Sequence, residues 1–293
     1  MKNHSFFALL LFVSFSVSGQ LHGVVKDSIT GTPIPYVTIS VVNENLATTA
    51  EENGEFSINI SEKSEKLIFS SLGFEQKTVA ISKAAEVRLK PIALPLDEVI
   101  ISRRLETRLK EIGKSENQIH EAFENAPRID IKFFPYLPAY KKTSYLKQVG
   151  IVTDSKIDDA SFKIHIYSVD ANGYPGEELL NKDFIVSVHE GVSKTKFNLK
   201  NFNLRMPKQG LFIGFEKLMI AKNKVEKTVA DPNTKATRTQ ISYYPLMLYD
   251  RVTRDFQYTF ANGKWIRKTN QNPGDPLEKM RIYEPAITLI LTN

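Results

Sequence analysis

The chain of 293 residues contains no cysteine. That excludes disulfides, thiol nucleophiles, Cys-ligated zinc and a lipidated N-terminal cysteine together. Glycine and proline number 14 each, too few for collagen-like or low-complexity material. There is one tryptophan, and there are five histidines. No two histidines stand at ligand spacing, so zinc has no sequence signature. Gly-x-Ser-x-Gly and Gly-rich phosphate loops are also missing. Apolar runs are short: none approaches the ~18–20 residues of a membrane-spanning helix.

What is there suits a globular protein. Hydrophobic residues make up 42% and charged residues 25%, and the length allows about two domains. Residues 190–293 carry 18 Lys/Arg against 9 Asp/Glu, and residues 1–189 carry 21 against 24. The basic excess is spread out, without an Arg stripe interleaved with aromatics, so nucleic acid is not an expected partner. Residues 1–19 read as a signal peptide. Lys2 opens it, Phe6–Val13 is its apolar run, and Val17-Ser18-Gly19 gives the small residues before a mature start at Gln20. The expectation is an exported protein with no transmembrane segment after cleavage.

Residues 20–102 alternate as short strands. Leu21–Asp27, Tyr36–Val42, Ala47–Thr49, Phe56–Ile60, Leu67–Phe69, Thr78–Ile81 and Val87–Leu89 each show period two, punctuated by Thr30-Gly31-Thr32-Pro33 and Leu72-Gly73-Phe74. Asn53-Gly54 is a hairpin signal. Strands at this spacing without helices between them predict an all-β sandwich.

Four stretches of this region resemble the carboxypeptidase regulatory-like domain. They are Gly23-Val24-Val25-Lys26-Asp27, Gly31-Thr32-Pro33-Ile34-Pro35-Tyr36-Val37, Glu52-Asn53-Gly54-Glu55-Phe56 and Leu67-Ile68-Phe69-Ser70-Ser71-Leu72-Gly73-Phe74. Glu52 stands where that family usually has Asp. The resemblance implies a seven-stranded, transthyretin-like sandwich. It does not imply peptidase activity, because the zinc hydrolase of carboxypeptidases is a separate domain and no His-x-x-Glu motif occurs here. Leu94–Ile101 is similar to the segment after this domain in TonB-dependent outer-membrane receptors. The residues remaining after Ser102 are too few for the plug and barrel of such a receptor. The resemblance places the protein in the periplasm, or at the outer membrane, of a Gram-negative bacterium.

Residues 103–128 carry Leu105, Leu109 and Ile112, then Ile119, Ala122 and Phe123, at helical spacing; they predict a short helical linker. Residues 129–293 return to strands, about ten of them, and predict a larger β-sandwich of jelly-roll type. Phe256, Tyr258 and Phe260 alternate ahead of Ala261-Asn262-Gly263-Lys264, which reads as a hairpin followed by Trp265. Residues 221–240 lack apolar periodicity and read as a long mobile loop.

Few residues suggest chemistry. His165, between Ile164 and Ile166, is expected to point to solvent, as is His189. The pairs Asp158-Asp159 and Glu177-Glu178 read as turn and solubility residues. Asp170-Ala171-Asn172-Gly173 reads as a turn without metal. The aromatics Trp265, Tyr136 and Tyr140 are the candidate ligand-binding residues, because exposed rings on a sandwich face stack on sugars. No catalytic residue, cofactor site or metal site is assigned. The expected function is binding or scaffolding in the cell envelope, with an envelope protein or a glycan as partner. The alternatives are a carbohydrate-binding module of a glycan-uptake system and a hydrolase with its site at the domain junction. The latter would show His165 or His189 clustered with carboxylates.

Overall fold

A computed structural model of the protein describes residues 19–92, 106–114, 120–122, 128–230, 236–269 and 280–293. The apolar run Phe6–Val13 and the segment Leu94–Ile101 lie outside the described residues. Among the described residues the chain is all-β; its helical pieces are short 3-10 turns, and no helix is long and apolar enough to cross a membrane.

The N-terminal unit has seven strands: β1 (Gly19–Asp27), β2 (Thr38–Val41), β3 (Ala47–Thr49), β4 (Glu55–Ile60), β5 (Lys66–Ser70), β6 (Lys77–Ala80) and β7 (Glu86–Leu89). They form a three-stranded sheet, β4-β1-β7, and a four-stranded sheet, β3-β2-β5-β6. Alternation explains the packing. Ile39 and Val41 of β2 meet Leu67 and Phe69 of β5 in one core with Val25, Val87 and Leu89. The face left over carries Thr38, Ser40 and Ser70. Gly23 lets the turn ahead of β7 approach β1, since a Cβ there would stand 2.5 Å from the Ala84 carbonyl oxygen. Asn53-Gly54 does not make the expected ladder hairpin: β3 and β4 belong to different sheets, and the turn carries the chain from one to the other.

The C-terminal unit begins earlier than expected. The strands are β8 (Leu109–Ile112), β9 (His120–Ala122), β10 (Ile129–Phe134), β11 (Tyr145–Ser155), β12 (Ala160–Val169), β13 (Pro175–Glu178), β14 (Phe184–Val188), β15 (Gly191–Asn198) and β16 (Leu211–Lys217). After them come β17 (Lys224–Ala230), β18 (Thr237–Tyr243), β19 (Leu246–Arg254), β20 (Phe256–Ala261), β21 (Lys264–Thr269), β22 (Met280–Pro285) and β23 (Ile287–Thr292). One seven-stranded sheet runs β13-β12-β16-β10-β20-β21 with β14 beside β12. The other runs β22-β19-β11-β23-β8, with β15 on β11 and β9 on β19. Between them lies the main core, with Phe134, Phe162, Ile164, Ile166 and Phe215 from the first sheet against Leu146, Ile151, Tyr249 and Leu289 from the second.

The first sheet curls into a half-barrel. Strands β12 and β21 are four places apart in it. On a flat sheet that is about 19 Å at ~4.8 Å per strand. Yet the Tyr167 and Trp265 rings are 5.1 Å apart, and Tyr174 and Tyr258 are 4.9 Å apart. Phe212, Tyr258, Phe133, Phe260 and Trp265 fill the concave side.

Two expectations are corrected. The helical linker is absent from the described part of residues 103–128: β8 pairs with β23, and β9 pairs with β19. Sheet edges with open hydrogen-bonding groups override a helical spacing carried by three apolar residues. Gly113 ends β8 at φ +78, where a Cβ would stand 2.4 Å from the Phe134 ring. The expected loop over residues 221–240 is a two-stranded hairpin, with β17 and β18 paired from Lys224↔Tyr243 to Ala230↔Thr237. Its residues are mostly exposed, so no apolar face marks them in the sequence. The hairpin at Ala261–Lys264 stands as expected, with Asn262 at φ 53 and Gly263 at φ 74, as a type I′ turn requires.

Candidate functional site at the domain junction

The alternation of β12 divides its residues between two buried faces. Phe162, Ile164 and Ile166 enter the main core; Ser161, Lys163 and His165 point the other way and are also buried. The N-terminal unit covers them. Its β2–β5 face lies on β12 and β16: Lys163 Nζ donates to the Tyr36 carbonyl at 3.2 Å, and the Met219 amide donates to Thr49 Oγ1 at 3.0 Å. The Ala221 amide donates to Glu51 at 2.8 Å, and Thr38 Oγ1 donates to Glu216.

His165 is the centre of this junction. It is buried, which corrects the expectation of a solvent-facing histidine. Period two assigns the face of a strand but not whether another domain covers it. Its Nδ1 is 2.8 Å from Glu178 Oε2 and its Nε2 is 2.8 Å from Glu216 Oε2. Glu178 Oε1 also accepts from the Ile166 amide at 2.6 Å. Glu178 is thus a junction residue rather than a solubility residue. Lys163 Nζ stands 3.1 Å from Asp183. Gly214, opposite His165 in the ladder, makes room: a Cβ there would be 2.9 Å from the Ile129 side chain and 3.4 Å from His165 Cβ.

Burial alone would push the His165 imidazole down. The two carboxylates more than reverse this and hold it up at about 9. Burial would likewise raise Glu216, but its hydrogen bond from His165 and the nearby Lys163 charge hold it down at about 2. His165 is therefore an imidazolium at neutral pH, donating through both nitrogens. Among the described residues no hydroxyl is hydrogen-bonded to either ring nitrogen; Thr38 is bound to Glu216 instead. The carboxylates sit on opposite ring nitrogens and do not converge. Among the described residues no group of three or more His, Asp or Glu is placed to hold a metal ion.

Beside this cluster, between the two units, is a cavity of about 280 Å³. Trp265, Tyr167 and Phe260 of the half-barrel line it, facing Ser40, Ser70 and Gln76 of the N-terminal unit. Tyr167 stacks on His165, with ring centroids 5.5 Å apart and planes 7° apart. Of the three aromatics singled out in the sequence, only Trp265 lines this cavity. Tyr140 is buried in the main core, and Tyr136 packs against the same core, 6.3 Å from Tyr140 between ring centroids. His189 lies apart, exposed, 3.5 Å from Asp158. Asp170 accepts from the Asn172 and Tyr174 amides through Oδ1, the geometry of a turn closed by its own side chain. Lys163, Glu178 and Glu216 were missed. A Lys and a His alternating through an apolar strand was the one available signal.

Residues 21–101 match the family model described as CarboxypepD_reg-like domain. No curated protein matches the chain. Among solved structures, one from Bacteroides uniformis ATCC 8492, described provisionally as a carbohydrate binding protein, is 12% identical over 78% of this chain and 97% of its own. Its TM-score is 0.19, and the likeness carries no argument. The family match coincides with the seven strands and the separate core of the N-terminal unit, so this chain carries a CarboxypepD_reg-like domain at residues 21–101.

Proposed function

We propose that this is an exported, non-enzymatic binding or scaffolding protein of the Gram-negative cell envelope. In this reading its CarboxypepD_reg-like domain and half-barrel unit act as one body with a ligand cleft at their junction. The pinning of His165 by two carboxylates supports it. A general base needs a free nitrogen and a pKa near the working pH. His165 has neither, since both nitrogens are engaged and its pKa is raised to about 9. The cluster instead is a paired set of buried charges on the C-terminal unit, and Thr38 and the Tyr36 carbonyl of the N-terminal unit hydrogen-bond to its Glu216 and Lys163.

The clustering of a histidine with carboxylates also favours a hydrolase at the junction, and the test addresses that reading directly. Protein purified from a Gram-negative host is incubated with peptide, ester and glycoside substrates beside a heat-treated control. No turnover above the control is expected. An activity abolished by Glu178→Gln, with the fold retained, overturns the non-enzymatic reading. Intact mass of the same sample checks export: the chain is expected to begin at Gln20, and a mature protein beginning at Met1 removes the envelope assignment.

A further inference from the structure

We propose that the junction cleft binds one neutral, polyhydroxylated ring, a single sugar residue of a glycan, with Trp265 as its apolar contact. This rests on the binding reading above and names the ligand class.

The inference follows from which polar groups in the cleft are already committed. The charged ones are committed: His165 pairs with Glu178 and Glu216, Lys163 with Asp183, and Arg128 with Asp130 at 2.8 Å, and Lys217, which also lines the cavity, is not free either. A charged ligand would lose its hydration there and find no counter-charge to replace it. The neutral groups are in the opposite state. The hydroxyls of Ser40, Ser70 and Ser71 and the side-chain amides of Gln76 and Asn262 line the same cavity. Among the described residues none of these side chains has a hydrogen-bond partner. They come from β2, β5, the β5–β6 connection and the β20–β21 hairpin, and so from both units.

Such a set of neutral donors and acceptors can each exchange a water for a ligand hydroxyl. Amides and hydroxyls both donate and accept, as sugar hydroxyls do. The remaining wall is aromatic, with Trp265 held against Tyr167 and Phe260 at 5.1 Å in each case. A half-buried indole fixed by its neighbours offers apolar surface to the C–H groups of a pyranose at little cost in side-chain entropy. The cavity of about 280 Å³ is at the lower edge of the ~300–1,000 Å³ of small-molecule sites, which suits one ring rather than an extended chain. The hairpin places Asn262 at the rim because Gly263 packs against Ile68, where a Cβ would stand 2.9 Å from Ile68 Cδ1.

Trp265 is the single tryptophan, so its fluorescence reports on this cleft alone. The mature full-length protein is titrated with D-glucose, D-galactose, N-acetyl-D-glucosamine and their oligosaccharides, and with D-glucuronate as the charged comparator. Expected is a saturable change in tryptophan emission with at least one neutral sugar, and binding of glucuronate about tenfold weaker or worse. The double variant Ser70→Ala/Asn262→Ala keeps the tryptophan and the charge cluster. It should melt like the parent and bind about tenfold more weakly. Trp265→Ala, followed by calorimetry, should lose binding. The proposal is overturned by the absence of a saturable response to every neutral sugar up to roughly 10 mM, well above a millimolar Kd. It is equally overturned by tighter binding of glucuronate, or by parental affinity in the double variant. Cleavage of a bound sugar, seen as product by NMR, would support the cleft assignment and defeat the non-enzymatic reading. Failure to bind would defeat the cleft assignment and leave that reading standing.

Discussion

Strand β12 separates two interiors that differ in nearly everything except their exclusion of water. On one side Phe162, Ile164 and Ile166 pack into the core between the C-terminal sheets. On the other side Lys163 and His165 face the CarboxypepD_reg-like domain and are also buried. The first interior is held by area removed from water, a non-directional force. The second is held by a short list of paired charges, each needing its partner in place. The first loses stability in proportion to the apolar area a substitution removes, and the second loses it when one partner of a pair is removed. Directional hydrogen bonds of the Tyr36 carbonyl, Thr38, Thr49 and Glu51 with the C-terminal unit set how the domains meet.

The largest effect is expected in the apolar interior. Phe162 is fully buried, and its ring lies 4.5 Å from that of Phe215. Phe162→Ala should cost ~3–5 kcal/mol in chemical denaturation and lower the whole C-terminal transition. A cost under ~1 kcal/mol would mean that the two sheets are not packed through this residue.

The junction comes next. His165→Ala leaves Glu178 and Glu216 without the cation they share, which should cost ~3 kcal/mol. Replacing His165, Glu178 and Glu216 together by apolar residues of similar volume should cost far less. If the single and triple variants lose equal stability, the cluster is not behaving as a set of coupled charges. The pH dependence has a defined sign. The imidazole is held at about 9, above its ordinary 6.5, so its contribution is complete below 6.5 and lost as pH rises through 9. Glu216 is held at about 2, below its ordinary 4.5, so its contribution is present above 4.5 and lost as pH falls toward 2. The C-terminal unit should be most stable between about 4.5 and 6.5, as measured by melting across pH. A stability maximum outside that window would contradict the pairing.

The same contrast explains what was legible in the sequence. The apolar interior announced itself: residues 129–293 read as strands, because one face of an alternating strand is enough to recognise it. The junction left almost no trace. His165 sits on the polar face of β12, and a polar face normally means solvent. Glu216 follows the apolar run Leu211–Phe215 and looks like its end rather than a buried ion. The carboxylates come from β13 and β16, which have no fixed spacing from the histidine. Strands β8 and β9 were missed for a related reason: they exist because distant sheet edges accept them, and their own residues favour neither state.

A glycine tests how tightly the junction is fitted. Gly214 lies opposite His165, and an alanine methyl there would stand 2.9 Å from Ile129 Cγ2 and 3.0 Å from Ile131 Cγ2. Gly214→Ala should cost ~1–3 kcal/mol through overpacking. It should also shift the His165 ring signals by NMR, because the added methyl would stand 3.4 Å from His165 Cβ. Unchanged stability together with unchanged imidazole shifts would show that the junction has slack.

The smallest effect is expected at His189, and it isolates burial as the variable. His189 follows β14, is 90% exposed in its side chain and stands 3.5 Å from Asp158, itself 69% exposed. On paper it resembles His165: a histidine beside a strand with a carboxylate in reach. Water, however, surrounds both partners, screens their attraction and keeps each free to rotate away. Asp158 also retains the Glu190 amide, which donates to it at 3.0 Å, so removing the imidazole strands no group. His189→Ala should therefore change stability by no more than ~0.5 kcal/mol, against the several expected at His165. The two variants, measured side by side in denaturant, compare the same residue type in two dielectric settings. A loss at His189 approaching that at His165 would mean that the carboxylate contact itself, and not its burial, supplies the stability of the junction.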